Sequence, residues 1–145
     1  MSENKKCASY LGCHIAENVL QSVFKDVEMM PHGNKGFDFI CASGMKIDVK
    51  SACIGGRPRS PGVWGFNIKR NTIADYFLCL AFDNRDDLNP IHLWLIEGSE
   101  VNHLHKLLIP LSKTDVWARC ELDINKVISK CNILKGDESY GSTSE

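Results

Sequence analysis

The chain has 145 residues, 43% of them hydrophobic and 24% charged, with a formal net charge of −1. That length suffices for one compact core, and the composition is that of a globular domain rather than a disordered, fibrous or disulfide-stapled chain. No apolar run reaches membrane length, and Met1-Ser2-Glu3-Asn4-Lys5-Lys6 does not open a secretory signal, so a soluble cytoplasmic protein with no membrane partner is expected.

A first helix is predicted from about Lys6 to Phe24, with Ile15, Ala16, Val19, Leu20, Val23 and Phe24 forming its apolar face. Glu17 falls on the border of that face, beside Phe24 and Tyr10, where it could reach a sheet edge or remain a solvated helix charge. Gly12 inside the helix costs roughly 1 kcal/mol against alanine, which suggests close packing there or a later helix start. Val27-Glu28-Met29-Met30 reads as a short strand, and residues 31–36 as a turn-rich loop.

Next come Gly36-Phe37-Asp38-Phe39-Ile40, a turn at Ala42-Ser43-Gly44, and Lys46-Ile47-Asp48-Val49-Lys50. Alternation sends Ile47 and Val49 to one face of the second strand, and Lys46, Asp48 and Lys50 to the other. A three-residue loop ending in a left-handed glycine places Asp38 opposite Asp48. Two-residue turn chemistry at Ser43-Gly44 would instead pair Asp38 with Val49 and split the carboxylates between faces. The first register is expected. Two adjacent carboxylates repel unless a cation lies between them, and a hard divalent ion with oxygen ligands suits the gap. Lys50, one pleat on, supplies positive charge where a phosphate could sit, which outlines metal-assisted phosphodiester chemistry.

Residues 54–62 are a Gly/Pro-rich loop carrying Arg57 and Arg59, and Trp64 to Arg70 alternates as a half-buried strand. Tyr76–Phe82 and His92–Ile96 read as buried central strands, Leu107–Ile109 as another short strand, and 124–134 as a helix. Residues 1–135 are expected to form one domain, with 136–145 a disordered acidic tail. Six cations (Lys46, Lys50, Arg57, Arg59, Lys69, Arg70) against Asp48 alone between positions 46 and 70 make a local basic surface in a chain of nearly zero net charge. Lys46, Arg57, Arg59, Lys69 and Arg70 are therefore the candidate nucleic-acid contacts. Seven cysteines without scaffold spacing suggest reduced thiols. A zinc site drawing on Cys7, Cys13, His14 or the His103/His105 pair is the alternative.

Asp38 followed after nine residues by Asp48-Val49-Lys50 resembles the core motif of the PD-(D/E)xK, or restriction-endonuclease-like, nuclease superfamily. Phe37 stands where that motif's proline would be. Residues 11–20 are similar to the first helix of its small homing endonucleases and archaeal Holliday-junction resolvases, in which a glycine precedes a glutamate. The resemblance covers about residues 8–53. It implies an α/β fold with a mixed central sheet flanked by helices, and a Mg²⁺-dependent endonuclease acting on DNA, with Mn²⁺ able to substitute. Asp38, Asp48, Glu17 and the Val49 carbonyl would hold the metal, and Asp38, Asp48, Lys50 and Glu17 would carry the catalysis. A homo-oligomer, dimer or tetramer, is expected because cutting a duplex takes two sites. The family's core has a helix between its third strand and the next parallel one. Residues 52–75 have no such pattern, so an extra strand is expected there. Two other functions fit the same residues: a non-catalytic nucleic-acid-binding module of this fold, and a metal-dependent phosphohydrolase of small substrates.

Overall fold

The computed structural model describes residues 15–31, 33–56, 59–84 and 90–123. Residues 15–23 are helical (α1), and Ala16, Val19 and Leu20, spaced at i, i+3 and i+4, are buried. The helix gives way near Asp26, at φ +53°. Val23, placed by periodicity on the apolar face, is 42% exposed.

Five strands form the main sheet in the order β1 (Glu28–Met29), β2 (Phe39–Ile40), β3 (Lys46–Cys53), β5 (Tyr76–Phe82), β6 (His92–Glu97). β1, β2 and β3 are an antiparallel meander, β3 and β5 run parallel, and β6 returns antiparallel to β5. The fold is thus mixed α/β. Between the parallel strands lies β4 (Val63–Asn67), which pairs with β7 (Lys106–Pro110) in a separate two-stranded sheet. The expected extra strand exists, but it covers a face of the main sheet instead of widening it. β4 ends at Asn67, three residues before the sequence pattern does, because Lys69 and Arg70 both adopt left-handed backbone (φ +56° and +53°). β6 is an edge strand, not a central one. Glu121 and Leu122 cover its open side through a Trp94–Glu121 bridge and a Leu122 N–H bond to the Leu93 carbonyl (2.8 Å). A four-residue helix, α2 (Gly98–Val101), follows β6, and a 3₁₀ segment (Leu111–Cys120) follows β7.

The main sheet separates two cores, and strand alternation decides which residue enters which. Phe39, Ile47, Leu78, Leu80 and Leu93 pack with Ala16, Val19 and Leu20 of α1. On the opposite face Phe77, Cys79, Trp94 and Ile96 pack under Trp64 and Phe66 of β4 and Leu107 and Ile109 of β7. Trp64 anchors this lid by donating its indole N–H to the Phe82 carbonyl at 3.0 Å. The helix expected over 124–134, the tail and the N-terminal half of the predicted first helix lie outside the described residues.

Candidate active site

The turn between β2 and β3 sets the register. Gly44 donates to the Cys41 carbonyl (2.8 Å) and Cys41 to that of Met45 (3.1 Å), closing a three-residue loop with Gly44 at φ +88°. Phe39 then faces Ile47 and Ile40 faces Lys46, and the paired residues end there; Asp38, the next residue, brings its carboxylate to the Val49 N–H and against that of Asp48. Asp38 is fixed on both sides: its N–H donates to the Ile47 carbonyl (2.9 Å) and its carbonyl accepts from Met30 (2.8 Å). β2 is too short to offer Val49 a backbone acceptor, and Asp38 Oδ2 takes that N–H instead at 2.9 Å.

Asp48 and Lys50 share a face with Phe77 and Cys79, their partners on β5, so the acid lies at the margin of the apolar core under β4 and β7. Asp48 is 7% exposed, the buried charged residue among those described. That burial pushes its carboxyl up to about 6, helped by a hydrogen bond to, and the charge of, Asp38, while Lys50 pulls the other way. Lys50 Nζ is 3.0 Å from Asp48 Oδ2. Burial also pushes the Cys79 thiol up, far enough to keep it neutral beside the site and exclude it as a nucleophile.

Asn71 is the residue that sequence reasoning missed. Its Nδ2 donates to the Gly36 carbonyl (2.7 Å) and to Asp48 Oδ2 (3.3 Å), while its Oδ1 accepts the N–H groups of Ile73 (2.8 Å) and Ala74 (3.3 Å). An asparagine after two cations signals a turn. No pattern in the sequence ties it to a carboxylate 23 positions away.

Of the candidate nucleic-acid contacts, Lys69 and Arg70 are exposed on the turn that leads into Asn71, and neither has a carboxylate partner among the described residues. Lys46 is half-buried, with Nζ 5.8 Å from the centre of the Phe37 ring. Arg59 is exposed in a loop closed by the reciprocal Gly55–Val63 bonds (2.8 and 2.9 Å), and Arg57 lies outside the described residues. Glu17 is half-exposed on α1, which packs on the sheet face opposite to Asp48. Among the described residues no three His, Cys, Asp or Glu side chains are grouped to hold a metal, so Asp38 and Asp48 stand as a pair without Glu17. The same holds for His103 and His105 as zinc ligands, while Cys7, Cys13 and His14 lie outside the described residues. The residues that could hold a hard divalent cation are therefore these two abutting carboxylates, of which Asp48 is desolvated and holds its proton more tightly than usual.

No family model matches the chain, and no curated protein matches it significantly. Among the described residues no helix is long and apolar enough to cross a membrane.

Proposed function

We propose that the chain is a divalent-metal-dependent endonuclease of the PD-(D/E)xK type, hydrolysing DNA phosphodiester bonds at Asp38, Asp48 and Lys50. The observation that carries this reading is the juxtaposition of a desolvated Asp48 with a second carboxylate and with Lys50 at 3.0 Å, beside an exposed turn bearing Lys69 and Arg70. The meander of β1 to β3 leading to a parallel β5 agrees with the core that the sequence resemblance implies.

Asp38 and Asp48 would hold Mg²⁺ or Mn²⁺, with the Val49 carbonyl as a third oxygen. When bound, the ion lowers the pKa of a coordinated water and neutralises phosphate charge. The side chains divide the remaining work. Asp38 and Asp48 present fixed negative charge on a rigid sheet, and Asp48 must lose its proton to do so. Lys50 offsets that charge in the resting protein and lies one pleat away, where its ammonium can stabilise charge developing on a scissile phosphate. Lys69, Arg70, Arg59 and Arg57 would contact the phosphate backbone without reading bases. Two protomers would serve the two strands of a duplex.

One observation favours a second reading, a binding module of this fold that does not cut: no third His, Cys, Asp or Glu side chain joins Asp38 and Asp48 among the described residues. Incubation of the protein with plasmid, linear and branched DNA, with and without Mg²⁺, separates the two. Metal-dependent strand cleavage that Asp48→Asn abolishes supports the endonuclease. Metal-independent binding with intact DNA supports the binding module.

A further inference from the structure

The pairing of Asp38 with Asp48 has a difficulty that β2 and β3 alone do not resolve. β2 has two paired residues and begins only at Phe39, so the segment leading into Asp38 is held to β3 by few ladder bonds. That segment, residues 33–37, has no strand structure. Asp38 itself is held by the Ile47 carbonyl, the Met30 N–H and the Val49 N–H, and the chain leading into it needs a tie of its own.

Asn71 supplies that tie. One Nδ2 group bonds the Gly36 carbonyl, two residues before Asp38, and the Asp48 carboxylate itself. The amide cannot rotate, because its oxygen is held by two backbone N–H groups, Ile73 and Ala74. The junction is tight as well as bonded. Gly36 has φ +87°, and a Cβ there would lie 2.8 Å from Ile73 Cδ1, so the Ile73 side chain packs onto the 36 backbone in space that glycine leaves open. Asn34 Nδ2 bonds the Phe37 carbonyl at 2.9 Å and stiffens the same segment from the other side.

We infer that Asn71 is a positioning residue for the carboxylate pair: its amide ties the segment leading into Asp38 to the Asp48 carboxylate and so sets the separation of the two acids. The inference rests on the metal-site reading for its consequence but not for its geometry. Turn formation alone would be a merely structural role, and the two roles use different atoms. Oδ1 makes the turn; Nδ2 reaches Gly36 and Asp48.

Asn71→Ser separates them. A serine hydroxyl can accept the Ile73 N–H and keep the turn but is too short to reach both Gly36 and Asp48. Asn71→Ala loses both functions. On the full chain, two readouts are taken beside thermal unfolding: hydrogen exchange of the Val49 amide without metal, and Mn²⁺ binding followed by electron paramagnetic resonance without DNA. The Val49 N–H reports on Asp38 because it bonds that carboxylate. The expected result is that Val49 loses protection in both variants, and that Mn²⁺ affinity falls about 10-fold or more in both, the loss typical when a partner orienting a metal ligand is removed. Tm should meanwhile fall less for Asn71→Ser than for Asn71→Ala. Unchanged Val49 protection in Asn71→Ser overturns the inference, as does an Mn²⁺ affinity that follows Tm across the series. A parent chain that binds no Mn²⁺, with Val49 protection still lost in Asn71→Ser, sinks the metal reading and leaves the positioning role standing.

Discussion

Asp48 makes the protein's stability depend on pH in a direction opposite to that of most carboxylates. Its pKa moves from the ordinary 3.8 to about 6 on folding, chiefly through burial. The folded state therefore holds this proton more tightly than the unfolded chain does. The Asp48 contribution to stability is full below pH 4, declines as pH rises to 6 and is level above that. Converting the difference gives about 3 kcal/mol between the two plateaus. The side chain is only 10% exposed, so solvent screening removes little of it. Asp48→Asn is the matched perturbation. The amide mimics the protonated acid in size and charge and never ionises. In urea unfolding with EDTA present, the variant should equal the parent near pH 4 and exceed it by up to about 3 kcal/mol at pH 7.5, roughly 10 °C in Tm for a chain of this size. Added Mg²⁺ should narrow that gap by stabilising the parent alone. A stability difference that stays flat from pH 4 to 7.5, or a parent that gains on the variant as pH rises, refutes the desolvated acid at β3. A gap that opens with rising pH shows instead that the site carries a stability cost, as strained and repulsive sites commonly do.

The remaining predictions test the other groups. Lys50→Ala should leave Mg²⁺ binding largely intact above pH 7 and reduce cleavage by about 100-fold or more, the loss expected for one preorganised charge. Because it also removes the cation that lowers the Asp48 pKa, it should move the acid limb of the pH–rate profile to higher pH; a parent-like rate and profile would make Lys50 a surface charge. Replacing Lys69 and Arg70 together by glycine relieves left-handed strain of roughly 1–2 kcal/mol each against a glycine entropy cost of about half that, so Tm should rise slightly. The same double variant should flatten the slope of log K against log salt for DNA binding by about two, and an unchanged slope would place the turn away from phosphates. Gly44→Ala meets no atom within 4 Å, yet its φ of +88° makes the substitution cost about 1–2 kcal/mol, all of it backbone conformation. Urea unfolding checks this, and a neutral substitution would argue against the three-residue loop.

Much of the site was legible in the chain because its signals are local. Period-two alternation placed Asp48 and Lys50 on one face of β3. Ala42-Ser43-Gly44 suits a three-residue loop with a left-handed third residue, and that loop sets Phe39 across from Ile47 and brings Asp38 to the edge of Asp48. The long apolar runs that became β5 and the i, i+3, i+4 face of α1 were readable for the same reason. Tertiary structure decided the rest. A helix face shows that Ala16 and Leu20 are buried but not which side of the sheet buries them, so Glu17 was a candidate ligand until α1 packed opposite Asp48. β4 carries the alternation of any half-buried strand, and nothing within residues 63–67 says that its partner is β7, more than forty positions on, rather than the main sheet. Lys69 continues that alternation on paper. Pairing with β7 stops at Asn67, and the chain must then turn sharply back to Asn71, which no periodicity records. The desolvation of Asp48 is likewise nonlocal, because it comes from the core that β4 and β7 close over Phe77 and Cys79. Hydrophobic period and turn chemistry act between near neighbours in the chain, whereas burial and the grip of Asn71 on Asp48 exist only once distant segments meet.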